Sequence, residues 1–337
     1  MRIASAATTL SWIPSEAVTG VNKAAFASGF THYDPPPPDS IDDLEELRRS
    51  DRFRFANRLA AWADIEDGRL VDAAYSGGVA MGSTTIRVGP KNMSFAAVAL
   101  PDLRHEPEVI DGADGMAVRF VQTTGGRTAL PAPRRVSHAP FVKFEAPTVW
   151  TTLALTLHED GRAEPELVGA SPFPRHWLYD ADGNLSAKAG MADFKDWYRH
   201  AFGSHTPWGD EETPALVTAV ETALERELSV RIMQGSTKPT VRSVKEGTLL
   251  TEQGQPGEDV FLLLDGVLSV DVDGEVVAEM GPGAIFGERA VLEGGVRTST
   301  LRAITNCRVA VAHKEQLDLS ALAEISEGHR RESQPDR

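Results

Sequence analysis

Cysteine and long apolar segments are nearly absent from this chain of 337 residues. Its one thiol, Cys307, excludes a disulfide within the chain, as is usual for a protein of a reducing compartment. No apolar run approaches the roughly 18 residues of a membrane-spanning helix, and the first residues lack the apolar core of a signal peptide. We therefore expect a cytoplasmic protein that does not enter the membrane.

An excess of positive charge is also missing. The 34 Lys and Arg residues are outnumbered by 49 Asp and Glu residues, which gives a formal net charge of −15. Nonspecific nucleic-acid binding depends on basic side chains that displace counterions from phosphates, so this balance disfavours such a partner. The preference for Arg over Lys, with abundant Ala, Gly and Pro, is typical of a GC-rich bacterial source.

Changes of pattern along the sequence divide it into two domains of ordinary size. We predict a β-rich N-terminal domain at residues 1–210, a connecting helix at 211–235 and a second β-rich domain at 236–332. Because strands dominate and helices occupy separate segments, the fold class is mainly β with helices, of the α+β kind.

Two helices are predicted near the start of the first domain. Four prolines at 35–38 precede an acidic segment that Ser40 can cap. The next segment, RFRFANRLAAWADIEDG, places Phe55, Leu59 and Trp62 on one helical face. We therefore expect helices on both sides of residue 50.

Strands are predicted in the rest of the first domain. The β-branched and aromatic segments lie at 84–88, 95–98, 118–121, 142–144 and 150–156. Turn residues at Gly125-Gly126 and at 180–184 predict hairpins. Short strands with few helices between them favour an antiparallel sandwich or barrel.

Helical spacing returns before the second domain. One helix is expected at 190–203, and a longer one begins with Thr213 as its cap and ends near residue 234. The longer helix carries an apolar stripe of Leu216, Val220, Leu224 and Leu228. Its place between the domains makes it our candidate relay element.

The segment at 286–303, FGERAVLEGGVRTSTLRA, carries the strongest functional signal. It combines a Gly287-Glu288 pair, Arg297 nine residues after that Glu, and the hydroxyl run Thr298-Ser299-Thr300. A guanidinium pairs well with a phosphodiester, and a carboxylate accepts a hydrogen bond from a sugar hydroxyl. A short helix between them would direct its first N–H groups at the anion.

This segment resembles the phosphate-binding cassette of the cyclic nucleotide-binding domain family. Glycines stand where that family turns its strands, at positions 247, 254, 257, 266, 281 and 283. Alternating apolar residues, among them Val260, Leu262 and Leu264, are expected to point inward. The resemblance covers residues 236–332 and none of the first 210, and it implies a jelly-roll β-barrel.

The resemblance also implies roles for the cassette residues and a ligand, cAMP or cGMP, without a metal. Glu288 aligns with the ribose-binding carboxylate and Arg297 with the phosphate-binding Arg, while Gly287 lets the backbone approach the ligand. The remaining expected ligand-binding residues are Phe286, Arg289, Ala290, Thr298 and Ser299. Thr298 resembles cGMP-selective cassettes, but cAMP is favoured if the source is bacterial. In a decayed pocket, Glu288 and Arg297 would pair with each other.

The sequence after the cassette indicates which architectures do not apply. The chain ends without the dimer helix and helix-turn-helix of the catabolite activator family, so no such DNA-binding module is expected. Kinase signature motifs are missing as well. A final helix at 320–331 is expected to act as a lid through Leu322 or Ile325.

The N-terminal domain shows no catalytic motif. His200 and His205, with the acidic residues 210–212, lack the spacing of a helical zinc site and read as a solvated loop. His176 reads as a hydrogen-bonded strand histidine, without a serine or cysteine nucleophile nearby in the sequence.

Three functions stay open. The first is a cyclic nucleotide sensor that signals to its N-terminal domain, which would contact a protein partner. The second is a nucleotide-regulated enzyme with Arg134-Arg135, His176 or His200 in its site. The third is a scaffold that uses the jelly roll only for assembly. Whether the protein forms a homodimer is left open.

Overall fold

A computed structural model gives the fold. It describes residues 1–15, 17–18, 23, 26, 33–66, 68–88, 91–112, 115–129, 132–135, 139, 142–190, 207–208, 217–218, 228–229, 232–233, 239–317, 319–320, 322–323 and 326. The chain divides into two compact units, Met1–Ala189 with Asp193–Ala215, and Gly190–Ala192 with Leu216–Arg337. Strands dominate both units, which confirms the predicted fold class.

The first unit contains two antiparallel sheets. One sheet has the order β15-β14-β1-β2-β3, with β1 Arg2–Trp12, β2 Phe55–Glu66, β3 Arg69–Met81, β14 Arg175–Tyr179 and β15 Leu185–Ala189. The other joins β13 Ala163–Ala170, β12 Thr148–His158 and β9 Gly115–Arg127, and β9 also pairs with β6 Val98–Ala99, β7 Leu103–Arg104 and β8 Glu108–Gly112. Two hairpins are separate: β4 Ser83–Val88 with β5 Lys91–Ala96, and β10 Ala132–Arg135 with β11 Val142–Glu145.

An apolar core joins these two sheets. One end of it packs Leu59 and Ala61 of β2 against Leu153 and Leu155 of β12 and Phe120 of β9. In each strand alternate residues contribute to this core, as expected of strands that bury one face. The predicted sandwich is therefore present in the first unit.

The helix predicted around Phe55, Leu59 and Trp62 is wrong, because this segment is strand β2. Its buried positions alternate from Asn57 to Ile65, and Trp62, on the other face, is only partly buried. Phe55 and Leu59 are four residues apart, a spacing that fits a helix and a strand equally well. Pairing with β1 and β3 on both sides decides between the two.

The short acidic helix is confirmed, but it begins later than predicted. Helix α1 spans Leu44–Arg49, and its cap is Asp43, whose carboxylate accepts hydrogen bonds from the N–H groups of Glu45 and Glu46. Ser40 instead forms an isolated bridge with Asn184. An ionised carboxylate at the N-cap also interacts favourably with the helix dipole.

One of the two predicted turns is confirmed. The Asp180 carboxylate accepts from the N–H groups of Asp182 at 3.0 Å and Asn184 at 2.8 Å, which closes the turn between β14 and β15. Gly125 and Gly126 lie inside β9 instead. A Cβ on Gly125 would stand 2.3 Å from the Val149 oxygen, so glycine here allows close approach of the neighbouring strand.

The other end of the sandwich interior is polar. The Asn57 amide donates to the Thr151 carbonyl at 3.1 Å and accepts from the Gln122 amide at 2.9 Å. The hydroxyl groups of Thr9 and Thr151 are 3.0 Å apart. All four residues are fully buried, so the network links the two sheets through hydrogen bonds that water cannot replace.

His176 belongs to this polar region. Its Nε2 donates to the Ser171 carbonyl at 2.8 Å, and its Nδ1 lies 2.6 Å from the Ser11 hydroxyl, which then donates to it. Burial lowers the pKa of His176 to about 4. Since the imidazole is fully buried and both nitrogens are engaged, it supports the fold, as the sequence indicated.

The second unit is a jelly roll of two four-stranded sheets, β17-β24-β19-β22 and β18-β23-β20-β21. The strands are β17 Thr240–Val244, β18 Leu249–Thr251, β19 Asp259–Asp265, β20 Leu268–Val272, β21 Glu275–Met280, β22 Ile285–Phe286, β23 Thr300–Ala303 and β24 Cys307–His313. Helix α2 spans Glu288–Glu293, between β22 and β23.

Strand β19 is buried on both faces. Phe261 and Leu263 point into the barrel, where they meet Leu268 and Val309. Val260, Leu262 and Leu264, which we expected inside the barrel, instead form an outer apolar layer with Leu228, Ile232 and Leu322. The expected direction was wrong because an apolar run buried on both faces gives no sign of which face points inward.

The structure describes six residues of the predicted connecting helix. Val217–Thr218 forms a short strand, β16, in keeping with the β-branched side chains of both residues. Residues 228–229 and 232–233 are helical. The helix predicted at 190–203 lies outside the described residues, apart from Gly190.

The final predicted helix is helical at 319–320, 322–323 and 326. Leu322 is fully buried in the outer layer of β19. Ile325 lies outside the described residues. Across the described helices, none combines the length and the apolar composition that a membrane crossing requires.

We expect Asn57→Ala to destabilise the first unit by about 1–3 kcal/mol, because it removes buried hydrogen-bond partners of Gln122 and Thr151. Chemical denaturation of the purified chain measures the change. The exposed neighbour Arg58→Ala is the control and should change stability by less than about 0.5 kcal/mol. Equal effects of the two substitutions would show that the buried network adds nothing to stability.

We also expect His176 to make the protein less stable in acid. A pKa lowered to about 4 means that the unfolded chain binds the proton more readily than the folded chain between pH 6.5 and pH 4. Stability is then lost as pH falls through this window, by an amount on the order of a few kcal/mol. Unfolding free energies of the wild type and His176→Asn, measured from pH 7 to pH 4, should converge or cross. Parallel curves would contradict the assignment.

Candidate functional site

The predicted cassette forms one short helix and one loop between strands β22 and β23 of the second unit. Strand β22 leads into Gly287, whose φ of 84° favours glycine, and helix α2 follows directly. The helix ends at Glu293; its C-cap, Gly294, has φ of 114°, and Gly295 follows with φ of 78°. These turns bring the chain back to Arg297 and into β23.

Arg297 is the buried cation of this site, with only 7% of its surface exposed. Its Nη1 donates to the Asp259 carbonyl at 2.8 Å, and its guanidinium carbon lies 5.0 Å from the centre of the Phe261 ring. Burial lowers the pKa of Arg297, while Asp259 and Glu288 oppose that shift by raising it. A guanidinium stays charged even so, because its ordinary pKa lies far above neutral pH.

Two glycines leave the space that the guanidinium fills. A Cβ on Gly257 would lie 2.0 Å from Arg297 Nε, and one on Gly287 would lie 2.4 Å from its Nη1. The backbone of this region is tied together as well, since Gly257 N–H donates to the Gly295 carbonyl at 2.8 Å. Arg297 N–H donates to the Gln255 carbonyl at 2.8 Å. The Arg side chain is therefore confined on several sides.

Glu288 lies at the first turn of α2, with 4% of its surface exposed. Its charge is close enough to raise the pKa of Arg297. Among the described side chains, no ion pair joins Glu288 to Arg297. The mutual neutralisation expected of a decayed pocket is therefore not found in this part of the chain.

The remaining predicted residues take different places. Phe286 of β22 packs inside the barrel, and Ala290 of α2 is buried. Arg289 is partly exposed. Its Nη2 lies 3.8 Å from the Oε2 of Glu293, one turn further along α2.

Thr298 and Ser299 are partly exposed beside Arg297. The Ser299 carbonyl accepts a hydrogen bond from the Thr251 hydroxyl at 3.4 Å. Of the predicted set, the structure brings Gly287, Glu288 and Arg297 together.

Sequence reasoning missed the contribution of strand β19 and the loop before it. Asp259 acts through its backbone carbonyl, which no side-chain pattern reveals. Phe261 looks like any core residue of an apolar strand. The sequence predicts only a turn at Gly257. In the structure its φ lies outside the left-handed region, and the glycine instead leaves room for Arg297.

The other candidate groups do not form a site in the described chain. No cluster of His, Cys, Asp and Glu that could hold a metal ion occurs among the described residues. His200, His205 and the acidic residues 210–212 lie outside them. Arg134 and Arg135 lie on strand β10.

Comparison with known proteins points to the same region. Residues 241–319 match the model of the family described as the cyclic nucleotide-binding domain. A cyclic nucleotide-gated potassium channel of Mesorhizobium japonicum is 34% identical over 88 residues, which are 26% of this chain and 24% of the channel. Rat cGMP-dependent protein kinase 2 is 31% identical over 74 residues, 22% of this chain and 10% of the kinase.

A third relative matches over a longer stretch. The human potassium/sodium hyperpolarization-activated cyclic nucleotide-gated channel 3 is 30% identical over 106 residues, 32% of this chain and 12% of the channel. The chain thus spans at most 24% of the length of these three relatives, and the likeness is confined to one domain.

The matched residues include the cassette, Arg297 and the β19 strand that supports it, and they coincide with the jelly-roll barrel. The C-terminal unit of this chain therefore carries a domain of the cyclic nucleotide-binding family.

Proposed function

We propose that this chain is a cytoplasmic sensor whose C-terminal unit binds a cyclic nucleotide, and that binding is signalled to the N-terminal unit. The observation that carries the proposal is the buried Arg297, which is held by a backbone carbonyl and a ring face and forms no ion pair among the described residues. Such a cation keeps its charge available to an anion. A single phosphodiester matches its charge and its planar fork of donors.

Burial increases the strength of this recognition. A charge-assisted hydrogen bond in a partly dry site contributes about 1.5–3 kcal/mol, because the local dielectric constant is lower than in water. Glu288 adds a carboxylate, an acceptor that suits the ribose 2′-hydroxyl. Helix α2 begins with a glycine cap that has no side-chain acceptor, so its first N–H groups are not capped by a side chain. These features favour a ligand with one anionic group and one hydroxyl donor.

The ligand we propose is cAMP rather than cGMP. Thr298 is compatible with either base, since its hydroxyl can donate or accept. The preference follows from the composition, which is typical of a bacterial source. Titration with both nucleotides is therefore part of the test.

Signalling would pass through the segment between the units. In the C-terminal unit, helical residues Leu228 and Ile232 pack on the outer face of β19, whose inner face carries Phe261 beside Arg297. A shift of Arg297 or Phe261 on ligand binding would therefore be transmitted through β19 to the apolar layer that Leu228 and Ile232 contact. Couplings of this kind amount to about 1–3 kcal/mol, enough to shift a two-state equilibrium.

We expect Arg297→Glu to abolish cyclic nucleotide binding and Arg297→Lys to weaken it by at least about tenfold. A carboxylate repels the phosphodiester, and a lysine cannot present a planar fork to it. Isothermal titration calorimetry with cAMP and cGMP measures both. Arg242→Glu, an equal charge change at an exposed position on β17, is the control. Unchanged affinity in Arg297→Glu, or no binding by the wild type, would refute the proposal.

We expect Gly257→Ala to weaken binding more than it lowers stability. The backbone here suits any residue, and the three atoms nearest the new methyl group all belong to the guanidinium end of Arg297, so the substitution would displace that group. Gly247→Ala is the opposite case, because φ of 76° disfavours alanine by about 1–2 kcal/mol while no atom lies near the new methyl. Calorimetry and thermal unfolding should therefore separate the two variants. A Gly257→Ala variant with wild-type affinity would contradict the role of this gap.

A further inference from the structure

Phe261 is held in place by strand pairing and by the barrel core. It lies in the middle of the four-stranded sheet, where it pairs with Val311 of β24 on one side and with Phe286 of β22 on the other. It is buried in the barrel core, and only 3% of its surface is exposed. A ring held by two neighbouring strands and a packed core has little freedom to move.

The ring closes one side of the space around the guanidinium. The guanidinium carbon lies 5.0 Å from the ring centre, within the range of a cation–π contact. Gly257 and Gly287 lie against the guanidinium nitrogens, and the Asp259 carbonyl accepts a hydrogen bond from one guanidinium N–H. The side chain is thus confined by a ring, two glycines and a carbonyl.

A ring face has an advantage over a carboxylate as a partner for this cation. The ring quadrupole attracts the guanidinium without carrying a net negative charge. A carboxylate at the same place would neutralise Arg297 and repel an incoming phosphodiester. The aromatic face therefore orients the cation and leaves its charge available.

We propose that Phe261 is a positioning residue for anion recognition: its ring face holds the Arg297 guanidinium in the orientation that a cyclic phosphodiester requires. This inference rests on the proposed function of the domain. It assigns to a core residue of β19 a role in affinity that goes beyond packing.

The decisive substitution changes the charge distribution of the ring but nearly keeps its shape. Pentafluorophenylalanine at position 261 reverses the quadrupole, so it should repel the guanidinium while filling the same space. We expect it to weaken cAMP binding by between about threefold and thirtyfold, as a lost cation–π contact implies. Phe261→Leu should weaken binding by a similar factor.

Two controls separate positioning from packing. Leu263→Val perturbs the same strand and the same barrel core without touching Arg297, and it should keep wild-type affinity. Thermal unfolding of each variant shows whether it is folded. Wild-type affinity in the pentafluorophenylalanine variant would overturn the proposal, and so would an equal loss in Leu263→Val.

A second measurement does not need the nucleotide. In the nucleotide-free chain, the Phe261 ring current should shift the side-chain N–H resonances of Arg297, which are assigned by their loss in Arg297→Lys. Phe261→Leu should move these resonances, and unchanged resonances would overturn the proposal. If the wild type binds neither cAMP nor cGMP, the proposed function fails, while this measurement still decides whether the ring holds the guanidinium.

Discussion

The burial of a positive charge beside strand β19 is the constraint on which the cassette of the C-terminal unit depends. A buried guanidinium is costly unless polar groups replace the water that it loses. Here the Asp259 carbonyl and the Phe261 ring replace part of that water, and Glu288 adds a nearby negative charge. Gly257 and Gly287 give the room that this arrangement needs. The loop before β19, the cassette and the barrel core are thus all shaped around one side chain.

The cassette could be predicted from the sequence because its parts lie close together along the chain. A glycine, a carboxylate and an arginine within eleven residues carry recognisable chemistry on their own. The supporting groups could not be predicted in the same way. They come from a different strand, and they are ordinary residue types: a backbone carbonyl at Asp259, a core ring at Phe261 and a glycine with an unremarkable backbone at Gly257. Their roles exist only after the barrel has closed.

The first unit shows a different limit of sequence reasoning. Only five of its strand segments are predicted from β-branched and aromatic residues, and the sequence predicts a helix at β2 because Ala61 and Ala63, its alternating core residues, are too small to mark a period of two. Gly125 and Gly126 resemble a turn in isolation, but in the sheet they admit neighbouring strands. In both cases tertiary pairing overrides a local signal. Neither the strand at β2 nor the position of Gly125 and Gly126 inside β9 can be predicted from its own stretch of sequence alone.

The doubly buried strand β19 has a consequence for the thermodynamics of ligand recognition. Immobilising a long side chain on binding usually costs about 0.5–1.5 kcal/mol of conformational entropy. Arg297 is already confined by a strand that is anchored in two apolar layers, so most of that entropy is lost when the domain folds. A ligand that binds Arg297 would therefore lose little affinity to the conformational entropy of ordering this side chain.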